Sequence, residues 1–487
     1  MTKKDIALKP QAVFDYFAKI NQVPRPPKHE EKMIAFLKDF AKENKLECKV
    51  DKTGNVLISK PASKGMEKRA TTILQSHMDM VCEKTSDSKI DFSKDPIETY
   101  IDGEWMKAKG TTLGADDGIG VAMELAVLTD KTLKHGPIEC LFTKDEETGL
   151  TGAFGIESGF MTGKYLLNLD SEDEGQIFIG CAGGVNTEIV FTYKPVAVPK
   201  GYMALKVSVD KLTGGHSGDD INKNRANANK VLARFLFQLS QQYKVRLAQI
   251  NGGNLHNAIP RNAEAVILIP EENKHAVRRD FNIFASEIEA EYHNTDPNAV
   301  FKMQSTDKPK SIMDKETSTK LITALQGVHN GVLEYSQDIE GLVETSSNLA
   351  SVKMDGANKV KIVTSQRSSI LSQRNAMRDT ITATFTLAGA KCKSSDGYPG
   401  WKPNPDSVIL KIATDTYKKL FKKDPEVKAI HAGLECGLFS EKYPGMDMIS
   451  FGPTLRGVHS PDERLLIPTV QMVWDHLVEI LKNIPEE

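Results

Sequence analysis

The first third of the chain alternates between short apolar runs and helix-like patterns. Apolar residues recur at helical spacing from Val13 to Ile20 and again from Met33 to Phe40. Short β-rich runs follow, and the segment GIGVAMELAVLTD between two of them predicts a helix. The runs are NVLISK, TTILQSH, PIECLFT and KYLLNLD. Strands that alternate with helices predict an α/β domain with a mixed, mostly parallel sheet flanked by helices.

The pattern changes near Gly184. From there to Lys393, amphipathic strands such as MALKVSVDKL and KVKIVTSQ flank long polar helices, which predicts an inserted α+β domain. The Gly- and Pro-rich segment SSDGYPGWKPNP indicates a return linker. A helix after it and the run DMISFGP resemble the first region. We therefore expect a catalytic domain in two parts, 1–184 and 394–487, around an insert at 185–393.

Composition and charge narrow the class of function. The chain has 487 residues, too many for one core, and a formal net charge of −2. This charge argues against nucleic-acid and membrane partners, since both need clustered positive charge. The start, MTKKDIALKPQAVFDYF, lacks the apolar core of a signal peptide. The six cysteines form no CxxC pair, so we expect free thiols in a cytoplasmic setting.

Apolar runs of the first region end in residues that bind metals. TTILQS is followed by His77 and Asp79, IECLFT leads to Glu146 and Glu147, and YLLNL ends at Asp170. Ligands of open α/β sheets bind at the carboxyl ends of the strands, so we expect these side chains to converge. A surface turn or an acidic loop would explain any one of them alone.

Two further segments supply candidate ligands. Asp116 and Asp117 lie in GADDGIG before the central helix, and His459 lies in GVHSPDE after the run MISFGP. Histidine nitrogen and carboxylate oxygen are the ligands of catalytic zinc sites. With one bridging carboxylate, five such residues hold two ions and leave positions for water. Alone, either aspartate is equally a helix N-cap, and His459 a surface-loop histidine.

The spacing of these residues also predicts supporting chemistry. In an extended strand His77 and Asp79 point to the same face, so Asp79 is placed to orient the imidazole of His77. Glu146 and Glu147 are adjacent and point in different directions in an extended chain. One is then expected to bind metal and the other to act as general base toward water.

Together these motifs resemble the M20 family of metallopeptidases, and within it the bacterial aminoacyl-histidine dipeptidases. The resemblance covers essentially the whole chain, through QSHMDMV, GTTLGADDGIG, KDEETG, NLDSEDEG, GGHSG, LHNAIPR, HAGLECGLF and GVHSPDE. It implies that His77 and Asp170 hold one ion, that Glu147 and His459 hold the other, and that Asp116 bridges them. Zinc is the expected metal, with cobalt or manganese as alternatives.

The resemblance also assigns supporting roles. It implies that Glu146 is the general base, that Asp79 supports His77, and that a cis peptide joins Asp116 to Asp117. The sequence departs from the family where Asp117 replaces a frequent Asn, and in the lead-in KDEETG, which keeps both glutamates. Extra negative charge at Asp117 is expected to alter metal affinity without abolishing binding.

The insert resembles the lid domain of the family, which binds substrate. Such lids often dimerise, so the protein is expected to be either a homodimer or a monomer. His216, in GGHSG, resembles the lid histidine that stabilises the oxyanion; a turn histidine is the alternative. Arg367 is a candidate for the substrate carboxylate, and equally a surface arginine. Asn257 is a weaker candidate for the substrate, and Glu435 is a candidate for its amino group.

The expected activity is hydrolysis of dipeptides with a free N-terminus, including Xaa-His dipeptides. An M20 deacylase or carboxypeptidase acting on N-acyl amino acids is the alternative. A serine hydrolase is disfavoured because GHSGD lacks the last Gly of G-x-S-x-G. GADDGIG does not match the dinucleotide fingerprint. A non-catalytic scaffold is disfavoured because the ligand and base positions are all filled.

Overall fold

The computed structural model describes residues 6–487. The predicted absence of a signal peptide, and the start of the predicted 1–184 segment, fall partly on residues 1–5, which lie outside the described residues. The chain forms two compact units. The first comprises the described residues up to Gly180 together with Trp401–Ala429 and Leu434–Glu487. The second comprises Cys181–Gly400 and Ile430–Gly433.

The helices of the described chain are numbered in chain order. They are α1 Gln11–Ile20, α2 Glu31–Asn44, α3 Ala115–Thr129, α4 Glu146–Gly149, α5 Thr151–Gly155, α6 Ala228–Gln242, α7 Lys274–Glu291, α8 Lys315–Gly327, α9 Leu371–Leu387, α10 Val408–Phe421, α11 Glu435–Lys442 and α12 Ile467–Asn483.

The strands are numbered in the same way. They are β1 Glu47–Val50, β2 Val56–Lys60, β3 Thr72–His77, β4 Thr99–Asp102, β5 Trp105–Ala108, β6 Ile138–Thr143, β7 Tyr165–Asn168, β8 Gln176–Cys181, β9 Gly183–Thr192, β10 Pro195–Val196, β11 Tyr202–Asp210, β12 Gly215–His216, β13 Arg246–Gly252, β14 Ala258–Ile259, β15 Ala263–Pro270, β16 Val300–Thr306, β17 Ile312–Met313, β18 Gly331–Tyr335, β19 Val343–Asp355, β20 Lys359–Ser368, β21 Lys391–Ser394, β22 Glu426–Ile430, β23 Asp447–Ser450, β24 Leu455–Arg456 and β25 Arg464–Leu466.

The first unit is built on a mixed sheet with the strand order β1-β2-β6-β3-β7-β23-β8-β22. Its four central strands, β6, β3, β7 and β23, run parallel, whereas β1, β2 and β8 pair antiparallel to their neighbours. Every residue of β3, β6 and β7 is buried, as the continuous apolar runs of these strands predict for a sheet covered on both faces. The predicted mixed α/β fold is therefore confirmed.

Helix α3 and a second, small sheet complete the surroundings of the site. Nearly all residues of α3 are buried, so this helix packs inside the unit rather than on its surface. The small sheet has the order β24-β25-β5-β4. Strand β25 pairs with β5, with Arg464 opposite Lys107 and Leu466 opposite Trp105. This pairing joins the segment after His459 to the segment that precedes α3.

The second unit is built on a largely antiparallel sheet with the order β16-β11-β15-β13-β19-β20-β9-β21, and β18 pairs with β19. Helix α6 begins where the Asn227 side chain accepts hydrogen bonds from the backbone N–H groups of Asn229 and Lys230, a typical N-cap. Apolar residues of α6 and the facing strands, among them Phe235 and Leu205, form the core of this unit. The unit is thus of the α+β type.

Candidate metal centre

Three neighbouring parallel strands bring candidate ligands to one edge of the central sheet. Strand β3 ends at His77, β6 leads into α4 with Glu146 and Glu147, and β7 is followed by Asp170. Because these strands are parallel and adjacent, their carboxyl ends lie side by side. Glu146 and Asp170 lie 69 and 93 positions after His77 in the chain, so it is the fold of the sheet that brings these residues together.

The first group of ligand atoms surrounds His77. Its Nε2 atom lies 3.1 Å from Oδ1 of Asp116 and 3.6 Å from Oδ1 of Asp170. The imidazole is buried, with 1% of its side chain exposed. Asp116 comes from the start of α3, so a residue outside the sheet completes this group.

The second group surrounds His459. Its Nε2 atom lies 3.1 Å from Oδ2 of Asp116 and 3.1 Å from Oε2 of Glu147. The two oxygens of Asp116 thus face two different imidazoles, which is the arrangement of a carboxylate that bridges two ions. The His459 side chain is 54% exposed, whereas the His77 side chain is only 1% exposed.

The donor set fits a pair of divalent metal ions. Ligand atoms about 2.0–2.1 Å from one tetrahedral ion lie roughly 3.3 Å apart, close to the nitrogen–oxygen distances found around His77 and His459. The atom Oε1 of Glu147 is buried and has no hydrogen-bond partner. Imidazole and carboxylate ligands together suit zinc and similar transition metals. His77, Asp116 and Asp170 would hold one ion, and Asp116, Glu147 and His459 the other.

The electrostatics of the group also favour cations. Hydrogen bonds to Asp116 and Glu147 raise the pKa of His459 to about 11. Burial raises the pKa of Asp170 to about 7, because the charged carboxylate is poorly solvated. Burial likewise raises the pKa of Glu146 well above its ordinary value. Cations bound at these side chains would compete with protons for the same atoms.

Asp79 connects the two sides of the centre. Its Oδ1 atom lies 3.3 Å from Nδ1 of His77. Its carboxylate also accepts hydrogen bonds from the backbone N–H groups of Glu146, at 3.1 Å, and Glu147, at 3.2 Å. One buried side chain therefore fixes both the His77 imidazole and the turn that carries the two glutamates.

The backbone at Asp116 has the cis peptide bond that the resemblance to the M20 family implies. The peptide bond between Asp116 and Asp117 is cis, and both residues depart from helical geometry within α3. The Oδ1 atom of Asp117 accepts a hydrogen bond from the N–H of Gly120 at 3.2 Å. A Cβ atom at position 120 would lie 2.4 Å from Oδ1 of Asp117, so the close approach requires glycine there.

Glu435, a candidate for the substrate amino group, lies in the first unit at the start of α11. Its Oε2 atom accepts hydrogen bonds from Gln75 at 2.6 Å and from Thr143 at 2.7 Å, both on the central strands. Its Oε1 atom is buried without a hydrogen-bond partner. Burial raises the pKa of this carboxyl group to about 7.

The other substrate-binding candidates cluster in the second unit. Arg367 is buried, with one guanidinium nitrogen 3.5 Å from Nε2 of His216 and another donating to the Tyr398 hydroxyl at 3.2 Å. Asn257 is exposed, and its carbonyl accepts a hydrogen bond from the N–H of Ser217, next to His216. The structure thus brings His216, Arg367 and Asn257 into one neighbourhood.

Several residues of these sites were missed by the sequence reasoning. Glu463 and Arg25 hold the loop before Asp116, and His431 lies among the residues of the Arg367 cluster. The His431 Nε2 atom lies 2.7 Å from the Ser346 hydroxyl oxygen. Burial lowers the pKa of His431 to about 3, so its imidazole is neutral near pH 7. His431 stands in HAGLECGLF and Glu463 in GVHSPDE, so the quoted motifs contained a signal for both.

The model of the family described as "Peptidase family M20/M25/M40" matches residues 73–483, and the chain belongs to this family. It is therefore a peptidase, as the motifs predicted. Over 478 residues, 98% of each chain, it is 42% identical to a protein of Escherichia coli (strain K12) called "Cytosol non-specific dipeptidase".

Solved structures give the same assignment. The crystal structure of aminoacylhistidine dipeptidase from Vibrio alginolyticus superposes with a TM-score of 0.93 at 44% identity, covering 99% of this chain and 98% of that one. Aminopeptidase PepT from Bacillus cereus shares the fold, with a TM-score of 0.57 at 16% identity over 97% of this chain and 98% of that one. In residues 6–487, no helix combines the length and the apolar character needed to cross a membrane.

Proposed function

We propose that this protein is a dipeptidase that uses two divalent metal ions, with zinc as the expected metal and cobalt or manganese as alternatives. The observation that carries the proposal is the placement of Asp116, whose two carboxylate oxygens each lie 3.1 Å from a different imidazole nitrogen. The substrate class is supported by the names of the relatives that match nearly the whole chain, a non-specific dipeptidase and an aminoacylhistidine dipeptidase.

The placement of the chain's own residues supports the following roles. His77 and Asp170 would hold one ion, Glu147 and His459 the other, and Asp116 both. When bound, the two ions would acidify a water molecule and polarise the scissile carbonyl. Glu146 accepts the proton of that water and returns it to the leaving amine. Burial raises the pKa of its carboxyl group above the ordinary value, which makes the carboxylate a stronger base toward that water.

Arg367 is proposed to bind the carboxylate of the substrate. Its guanidinium is buried, and its Nε atom has no hydrogen-bond partner, so the group keeps donor capacity for an incoming anion. The contacts to Tyr398 and His216 hold its plane in place. A guanidinium fixed in this way matches a carboxylate bidentately. His216 is proposed to stabilise the oxyanion, Asn257 to assist at the substrate, and Glu435 to bind the substrate amino group.

A panel of short substrates tests the proposal. Ala-His, β-Ala-His and Gly-Gly are expected to be cleaved by the metal-loaded enzyme, and Ala-His amide about 10- to 100-fold more slowly, since a lost charged hydrogen bond costs roughly 1.5–3 kcal/mol. A tripeptide and N-acetyl-alanine should be poor substrates. Cleavage of N-acetyl-alanine without cleavage of any dipeptide would instead identify a deacylase of the same family.

The name of the Escherichia coli relative also supports a cytoplasmic location, which we propose for this protein. Fractionation of cells that express the full chain, followed by detection with an antibody, checks this directly. Recovery with the membrane or secreted fraction would contradict it.

A further inference from the structure

The loop before Asp116 is held by a single carboxylate. Both oxygens of Glu463 accept hydrogen bonds from four consecutive backbone N–H groups: Oε2 from Leu113 at 2.7 Å and Gly114 at 3.0 Å, Oε1 from Ala115 at 2.8 Å and Asp116 at 3.2 Å. The Glu463 residue is only 2% exposed. The last of these N–H groups belongs to the residue whose side chain faces both histidines.

The position of Glu463 is set by a strand rather than by a free loop. Glu463 comes directly before β25, which pairs with β5 through Arg464 and Lys107. His459 lies four residues earlier in the same segment. One short stretch of chain thus carries both a candidate ligand and the carboxylate that holds the backbone of the bridging residue.

Arg25 holds the same loop from another direction. One guanidinium nitrogen donates to the carbonyl of Asp79 at 2.9 Å, and the other donates to the carbonyl of Gly114 at 2.7 Å. A Cβ atom at position 114 would lie 2.5 Å from the guanidinium, and one at position 118 would lie 2.7 Å from it. The two glycines therefore leave the room that this buried side chain occupies.

Arg25 and Glu463 carry opposite charges and lie near each other beside this loop. Burial lowers the pKa of the Arg25 guanidinium, and the nearby charges of Glu463 and Asp79 oppose that shift. An isolated buried charge would be costly, but each group here is hydrogen-bonded and has the opposite charge nearby. Arg25 and Glu463 together connect the segments that carry Asp79, Asp116 and His459.

We propose that Glu463 and Arg25 are positioning residues that set the bridging geometry of Asp116 before any metal ion binds. This rests on the proposed bridging role of Asp116, but it concerns metal binding and not the identity of the substrate. Supporting groups of this kind commonly change metal affinity by about 10- to 100-fold when they are removed.

Amide hydrogen exchange on the wild-type protein tests the preorganisation without any substitution. The amides of residues 113–116 should be as strongly protected in the chelator-treated protein as in the zinc-loaded protein, because their hydrogen bonds are to Glu463 and not to a ligand of the metal. Fast exchange in the metal-free protein that slows only after zinc is added would overturn the proposal.

Substitution tests the effect on the metal. Glu463→Gln should weaken zinc binding by about 10- to 100-fold in a chelator competition and change the visible spectrum of the cobalt-loaded protein. Asp462→Asn is the matched control, since it removes the same charge from the neighbouring, exposed residue. A folded Glu463→Gln protein with the affinity and spectrum of the control would refute the proposal. If Glu463→Gln does not fold, the zinc affinity and cobalt spectrum of Arg25→Lys are measured instead. Amide hydrogen exchange on the wild-type protein then decides whether the loop is ordered before metal binds.

Discussion

Replacing Glu146 with glutamine is expected to lower kcat for dipeptide hydrolysis by about 10²- to 10⁴-fold while both metal ions stay bound. Glutamine keeps the shape of the side chain but cannot accept and return a proton. The proposed ligands do not include Glu146, and Asp79 holds its backbone through the N–H group, which the substitution leaves unchanged. Steady-state kinetics with Ala-His and metal analysis by mass spectrometry measure the two quantities on one preparation.

Glu157→Gln is the matched control for this prediction. Glu157 has the same side chain, but it is exposed and pairs with Lys52 at the surface. It should leave kcat and metal content as in the wild type. If Glu146→Gln kept most of its kcat, the general base would have to be another group. If it lost its metal, Glu146 would be a ligand rather than the base.

Asp116→Asn is expected to have the largest effect on metal binding. Its two carboxylate oxygens face His77 and His459, and an amide offers only one oxygen and no negative charge. Affinity for both ions should fall by at least about 10²-fold, with activity lost at one to two equivalents of metal. Isothermal titration of the metal-free protein with zinc gives affinity and stoichiometry together.

The neighbouring aspartate provides the control. Asp117→Asn makes the same chemical change one residue further on, at a side chain that is also buried. The carboxylate of Asp117 accepts a hydrogen bond from the N–H of Gly120, and the side-chain oxygen of an asparagine could accept the same hydrogen bond. Because the charge of Asp117 acts on His77 and Asp170, we expect a modest change in zinc affinity, much smaller than the change caused by Asp116→Asn. Equal loss of zinc in both variants would mean that general charge around α3, and not a bridge at Asp116, determines binding.

Much of the centre could be predicted because its ligands follow apolar runs. The strands β3, β6 and β7 are buried on both faces, so their sequences are continuous apolar stretches with clear ends. His77 stands at such an end, and Asp170 stands just beyond another. Because the carboxyl ends of parallel strands lie at one edge of a sheet, these residues were predicted to lie together. The structure places His77 and Asp170 3.6 Å apart at that edge.

The supporting residues could not be predicted by the same reasoning. Glu463 acts on backbone N–H groups, which every residue except proline carries, so no side-chain pattern in residues 113–116 indicates its partner. Arg25 reaches carbonyls at Asp79 and Gly114, which lie 54 and 89 positions away in the chain. Contacts of this kind depend on the pairing of β25 with β5 and on the packing of α3, and both are properties of the folded chain.

The insert illustrates a different limit. Its alternating strands indicated an α+β unit, but residues Ile430–Gly433, which bring His431 into the second unit, come from a segment assigned to the catalytic part. A segment of four residues is too short to show a hydrophobic period, so the sequence pattern does not indicate that it belongs to the second unit. The domain limits at 184 and 393 and the functional roles of His216, Arg367 and Asn257 stay predictions.

Metal titration of the metal-free enzyme tests the central claim most directly. Zinc is added in steps to a known concentration of chain, and the rate of Ala-His hydrolysis is measured at each step. The proposed two-ion centre predicts no significant activity without metal and a rate that reaches its maximum at about two ions per chain. Full activity in the metal-free protein, or a maximum at one ion, would contradict it.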